Sequence, residues 1–199
     1  MKLCEMGLTY STQLKIPKLE ELMQETGFSS AHIIRLHDRF KYLDREKKGH
    51  LCPQDFGEIK GLAMNPIGDR IIDAFFPPGR ETVDFQTFVR ILAHFRPVDK
   101  NRPKEPNSSE PINSRINKLK FVFQMYDLDK DGKISRHDLL KVLRGMLEMQ
   151  VTDEQLDSIA ERTIQEADLD GDGTISFEEF RKSLEKVNID HKMSIRFLR

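Results

Sequence analysis

Twice in this 199-residue chain, 41 residues apart, a twelve-residue stretch places aspartates at its first, third and fifth positions. Each stretch has glycine at the sixth and a further carboxylate at the twelfth. Oxygen ligands on alternate residues converge on one point only if the chain turns sharply between them, and the sixth-position glycine supplies that turn. Hard oxygen donors at this spacing suit a hard divalent cation, Ca²⁺ first. In residues 168–179 every role is filled. Asp168, Asp170 and Asp172 offer carboxylates, Thr174 its carbonyl, Ser176 the water-mediated position, and Glu179 closes the shell with two oxygens. Residues 127–138 offer Asp127, Asp129, Asp131, the Lys133 carbonyl, Ser135 and Asp138. Asp138 is one methylene shorter than glutamate, so it is expected to reach an ion with one oxygen, which shifts this loop towards Mg²⁺. Lys130, Lys133 and Arg136 are expected to make its field less negative, so the later loop is predicted to hold Ca²⁺ more tightly.

These stretches have the pattern of EF-hand loops. Amphipathic helices flank them: Ile116, Leu119, Phe123 and Tyr126 before the first loop, and Leu139, Val142, Leu143 and Met146 after it. Thr152 and Gln155 form a capping box, followed by Leu156, Ile159, Thr163 and Ala167. Phe177, Phe180, Leu184 and Val187 form the last helix expected. At the eighth loop positions, Ile134 and Ile175 are expected to pair in a short antiparallel ladder. The N-terminal half repeats the plan without the ligands. Ile33, Leu36, Phe40 and Leu43 lead into a loop that starts at Asp44 and keeps Gly49, Leu51 and Asp55. It puts Lys48 at position 5 and Cys52 at position 9, and an ammonium there opposes cation binding. The fourth loop, with Phe76-Pro77-Pro78-Gly79-Arg80 and Val83 at the ladder position, lacks carboxylates at positions 1, 3 and 5.

The predicted fold is all-α: four EF-hand units in two lobes, with short β-ladders between paired loops. The expected division is an N-terminal segment (1–25), a lobe with two degenerate units (26–96) and a proline-rich linker (97–112). A lobe with two metal-binding units (113–189) and a C-terminal tail (190–199) follow. A net charge of −1 gives no reason to expect nucleic acid as a partner. Cys4 and Cys52 form no redox or metal spacing, which suits a cytoplasmic location. No apolar run approaches a membrane span or a signal peptide. The carboxylates are committed to metal and no nucleophile–base pattern stands beside them, so no enzyme is expected. His137, at loop position 11, is not at a ligand place.

Longer stretches outside the loops resemble the calcineurin B homologous proteins. They are Glu25-Thr26-Gly27-Phe28-Ser29, Asn65-Pro66-Ile67-Gly68-Asp69-Arg70-Ile71-Ile72, Leu92-Ala93-His94-Phe95-Arg96-Pro97, Asn113-Ser114-Arg115 with Asn117-Lys118-Leu119, Arg162 to Asp168, and Lys192 to Leu198. The resemblance covers nearly the whole chain from Met6. The regulatory B subunit of calcineurin looks more distant, because it normally keeps four working loops. The resemblance implies a regulatory subunit that binds an amphipathic helix in the cytosolic tail of plasma-membrane Na⁺/H⁺ exchangers and supports their activity and stability. It also implies inhibition of calcineurin and a part in vesicle trafficking. The alternatives from the residues are a phosphatase regulator that binds calcineurin A, and a cytosolic Ca²⁺ buffer.

Family members carry a myristoylated N-terminal glycine. Here Met6-Gly7-Leu8-Thr9-Tyr10-Ser11 fits that pattern, so Gly7 is a lipidation site only if translation starts at Met6. Peripheral association with the cytosolic face of the plasma membrane would follow. Leu139–Leu147 and Phe177–Val187 are the candidates for the leucine-rich nuclear-export segments of the family, and both read first as ordinary core helices.

Overall fold

The computed structural model describes residues 16–57, 59–76, 79–98, 110–147 and 151–193. Helix α1 (Leu19–Thr26) ends at Gly27 in a left-handed conformation, and α2 (Ser30–Leu43) starts from a Ser29 cap. Ile33, Leu36, Phe40 and Leu43 of α2 are buried, as their spacing predicts. A 3₁₀ turn (Pro53–Phe56) and the short helices α3 (Lys60–Ala63) and α4 (Gly68–Asp73) lead to α5 (Phe85–Ala93). The second half comprises α6 (Arg115–Tyr126), β1 (Lys133–Ile134), α7 (Arg136–Leu147), α8 (Asp153–Ala167), β2 (Ile175–Ser176) and α9 (Phe177–Ser183). Among the described residues its last element is α10 (Ile189–Lys192). Among the described residues the fold is all-helical apart from the loop pairings. Strands β1 and β2 run antiparallel with Ile134 opposite Ile175, and Leu51 bridges Val83 in the N-terminal half. Both ladders fall where the eighth loop positions place them.

Two apolar clusters share α6. The smaller gathers Phe123, Ile134, Leu139, Ala160, Ile164, Ala167 and Ile175 behind the C-terminal loops. The larger runs from Leu22 and Phe40 through Phe56, Phe75 and Phe88 to Leu119 and Phe121 of α6, and on to Ile189 and Met193. Helix α6 thus buries a wider arc than the stripe of Ile116, Leu119, Phe123 and Tyr126. Phe121 faces the N-terminal half, stacked on His94 with centroids 4.8 Å apart and edge-on to Phe95 at 5.3 Å.

Helix α8 departs from the expected stripe. Its buried residues are Leu156, Ala160, Ile164 and Ala167, while Ile159 and Thr163 are exposed. Both sets fit a 3.6-residue period, and α7 packs on the first, whose two alanines permit close approach. The chain also does not finish with α9. Helix α10 lies across residue 190, and Ile189 and Met193, on either side, are both in the larger core.

Several residues of the longer family-like stretches have structural work in this arrangement. Arg96 donates from Nη1 to the Thr26 carbonyl at 2.6 Å and lies over the Phe28 ring, fastening the end of α1. Asn113 donates to the Pro97 carbonyl at 2.8 Å, so the two ends of the proline-rich segment are pinned together. Most of that segment, residues 99–109, lies outside the described residues, as do Gly7 and the last six residues. Ser114 caps α6, and Arg115 donates to the carbonyls of Leu184, Glu185 and Val187 just beyond α9. Lys118 is fully buried, and its ammonium is bonded to Asp190 of α10.

Candidate metal centres

The two C-terminal loops have the backbone that a cation site needs. Lys130 and Gly132 in the first, and Gly171 and Gly173 in the second, take positive φ at positions 4 and 6. Each loop therefore folds its early side chains inward. Ligand atoms of Asp127, Asp129 and Asp131 lie within 4.8 Å of one another, and so do those of Asp168, Asp170 and Asp172. Three carboxylates gathered so closely repel one another unless a cation sits among them. Asp127 is buried, and its Oδ1 has no hydrogen-bond partner among the described residues, while Oδ2 accepts from the Gly132 amide at 3.1 Å. A buried carboxylate oxygen without a donor is costly, and a Ca²⁺ ion at this position removes that cost. The donor set and the orphaned oxygen both fit a divalent cation.

The twelfth positions show what one methylene does. Glu179 Oε2 accepts from the Ser176 amide at 2.8 Å and hydroxyl at 2.7 Å. Its Oε1 reaches across to the loop's start and accepts from the amides of Leu169 at 2.7 Å and Asp170 at 3.3 Å. These bonds, the Ser176 amide foremost, hold the carboxyl down to about 2. Asp138 Oδ2 makes the equivalent pair with Ser135, at 2.9 Å to the amide and 2.6 Å to the hydroxyl. No bond from Asp138 to the start of its own loop occurs among the described residues.

The basic residues of the first loop each have a partner. The Lys130 ammonium bonds the Gln124 carbonyl, and Arg136 pairs with Asp157 of α8 at 2.8 Å. Lys133 reaches across the ladder and pairs with Asp172 of the second loop. Its ammonium, with the Thr174 donors, holds the Asp172 carboxyl down to about 2. Antiparallel pairing sets Lys133 opposite Ser176, which brings the long side chain within reach of the neighbouring loop. The charge expected to weaken the 127–138 loop is therefore directed in part at the 168–179 loop. At their closing ends the two loops differ in the reach of Asp138 against Glu179.

In the N-terminal half, the 44–55 loop has the same backbone, with Lys47 and Gly49 at positive φ. Asp44 accepts from the amides of Lys48 and Gly49 at 2.8 and 2.7 Å. Glu46, at position 3, is a carboxylate missing from the expected ligand plan of this loop. Counting from Asp44 finds it.

A family model for the EF-hand domain pair matches residues 116–185. Over most of its length the chain resembles the calcineurin B subunit of Naegleria gruberi, with 38% identity over 189 residues, covering 94% of this chain and 98% of that one. It is 39% identical to the calcineurin B subunit of Yarrowia lipolytica, covering 89% and 95%. It is 37% identical to that of Candida glabrata, covering 90% and 94%. The chain belongs to the calcineurin B family. The N-terminal loops depart from a subunit with four working loops. Loss of ligands is compatible with this family's frame because Leu51 and Val83 still pair without them. Members are named as subunits, and membership makes the chain a non-catalytic, regulatory type of protein. Among the described residues no helix is long and apolar enough to cross a membrane.

Proposed function

We propose that this chain is a Ca²⁺-binding regulatory subunit of the calcineurin B family that holds an amphipathic helix of its partner. The observation that carries this reading is the end-to-end similarity to calcineurin B subunits, 94% of this chain against 98% of the Naegleria protein. The partner chemistry it favours is the subunit-binding helix of a calcineurin A phosphatase, an apolar stripe received in a cleft. In this reading Asp127, Asp129, Asp131, Lys133, Ser135 and Asp138 hold one ion, and Asp168, Asp170, Asp172, Thr174, Ser176 and Glu179 hold the other. The first loop, with its short closing carboxylate, also takes Mg²⁺. The lobes divide at the pinned segment between Pro97 and Asn113.

The cytosolic tail helix of a Na⁺/H⁺ exchanger is the second reading. A specific observation favours it: position 5 of the 44–55 loop is Lys48, and the loop that leads to Val83 carries Phe76 and Arg80 at ligand positions. The chain thus departs from a four-site subunit towards the calcineurin B homologous proteins. With this reading go a myristoylated Gly7 in a form begun at Met6, a peripheral place on the plasma membrane, and nuclear shuttling.

Titration calorimetry of the Ca²⁺-loaded chain against the two helical peptides separates these readings. Tighter binding of the calcineurin A helix supports the first and tighter binding of the exchanger helix the second. Failure to bind either overturns the helix-holding role.

A further inference from the structure

The 44–55 loop is degenerate by its sequence, yet its geometry is that of a cation site. Positions 4 and 6 have the same left-handed backbone as in the two C-terminal loops. Positions 9 and 12 make the same closure: Asp55 Oδ2 accepts from the Cys52 amide at 2.7 Å and from its thiol at 3.0 Å. That matches Ser135 with Asp138 and Ser176 with Glu179. The side chain at position 5 is turned inward in such a loop, and here it is Lys48. Its Nζ lies 3.2 Å from both Asp55 oxygens, 3.4 Å from Cys52 Sγ and 3.6 Å from Glu46 Oε2. Those partners occupy positions 12, 9 and 3, three of the places from which a bound Ca²⁺ draws its ligands. The bond to Asp55 raises Lys48 above the usual lysine range. Asp55 is desolvated, which alone would push it up, but the Cys52 donors and the ammonium together hold it below the usual carboxylate range.

We propose that the 44–55 loop is a cation site permanently filled by the chain's own Lys48 ammonium. A tethered cation needs no metal from solution, and it carries one charge where Ca²⁺ carries two. The acid set is correspondingly sparse, with Glu46 and Asp55 around the ammonium and Asp44 occupied by backbone amides. The Leu51–Val83 bridge, and the N-terminal lobe built on it, then stay closed at any Ca²⁺ concentration. Response to Ca²⁺ is confined to the C-terminal pair. By sequence Lys48 is only an obstacle to metal; the structure assigns it the metal's place.

The test is hydrogen exchange of the full chain with Ca²⁺ and with chelator, joined to a count of bound ions. In the wild type, the amides of Leu51 and Val83 keep their protection when Ca²⁺ is removed, whereas those of the 133–134 and 175–176 ladder lose at least tenfold. Lys48→Met exposes the Leu51 and Val83 amides at least tenfold faster in both conditions. Lys48→Asp gives the loop acids at positions 1, 3, 5 and 12, makes the protection Ca²⁺-dependent, and binds one ion more than the wild type whatever that number is. The proposal is overturned if wild-type Leu51 and Val83 already lose protection with chelator. It is also overturned if Lys48→Met leaves their exchange unchanged, or if Lys48→Asp gains neither an ion nor Ca²⁺-dependent protection.

Discussion

Asp190→Ala isolates the contact that locks the C-terminal helix α10 onto α6. Lys118 is 0% exposed, and its ammonium is bonded to Asp190, 72 residues further along the chain. Removing the acid strands a buried positive charge. A hydrogen bond to a charged group contributes about 1.5–3 kcal/mol, and breaking a fully buried pair costs about 3–5 kcal/mol. Asp190 is 34% exposed, so water can enter where its side chain was, and the lower part of these ranges applies. The expected loss is about 2–3 kcal/mol, or roughly 4–12 °C in Tm for a chain of this size. Urea and thermal denaturation of the full chain in saturating Ca²⁺ measure it. The control is the double variant Lys118→Met with Asp190→Ala, which removes charge and partner together and is expected within about 1 kcal/mol of wild type. A loss below about 0.5 kcal/mol for Asp190→Ala, or a double variant no more stable than the single one, would refute the reasoning.

Exchanging the closing carboxylates should exchange the behaviour of the loops. Glu179→Asp gives up the reach to Leu169 and Asp170 and is expected to weaken its Ca²⁺ site about tenfold or more, while Asp138→Glu strengthens the other, both read by calorimetry. Lys133→Met removes an ammonium that competes for Asp172 and is expected to tighten Ca²⁺ binding at the 168–179 loop, read by the same calorimetry. His94 is held below the usual imidazole range, first by burial. A lowered base contributes its full share of stability above its unfolded pKa and loses it as pH falls through that value towards the folded one. Wild-type stability should therefore drop as pH is lowered from about 6.5, and His94→Gln should flatten that dependence in pH-resolved denaturation.

The loops and ladders were legible in the sequence because a twelve-residue turn fixes ligand spacing locally, and residues such as Ile134 and Ile175 follow from a count. What the local pattern hid was set by partners distant in sequence. Lys118 reads as a solvated helix residue until Asp190 is brought beside it. Phe121 reads as the wrong face of α6 until His94 and Phe95 supply a second core. Lys130, Lys133 and Arg136 read as a positive loop, yet their charges are delivered to Gln124, Asp172 and Asp157. On α8, Ile159 and Ala160 fit the helical period almost equally, and packing against α7 chose the smaller side chain.

In the proposed function the C-terminal pair holds two ions and the N-terminal pair none. Equilibrium dialysis of the full chain against Ca²⁺, with bound metal counted per chain, tests this most directly. Two ions are expected at saturation, one in Glu179→Gln and one in Asp127→Asn. A third ion in the wild type, or an unchanged count in either variant, would contradict it.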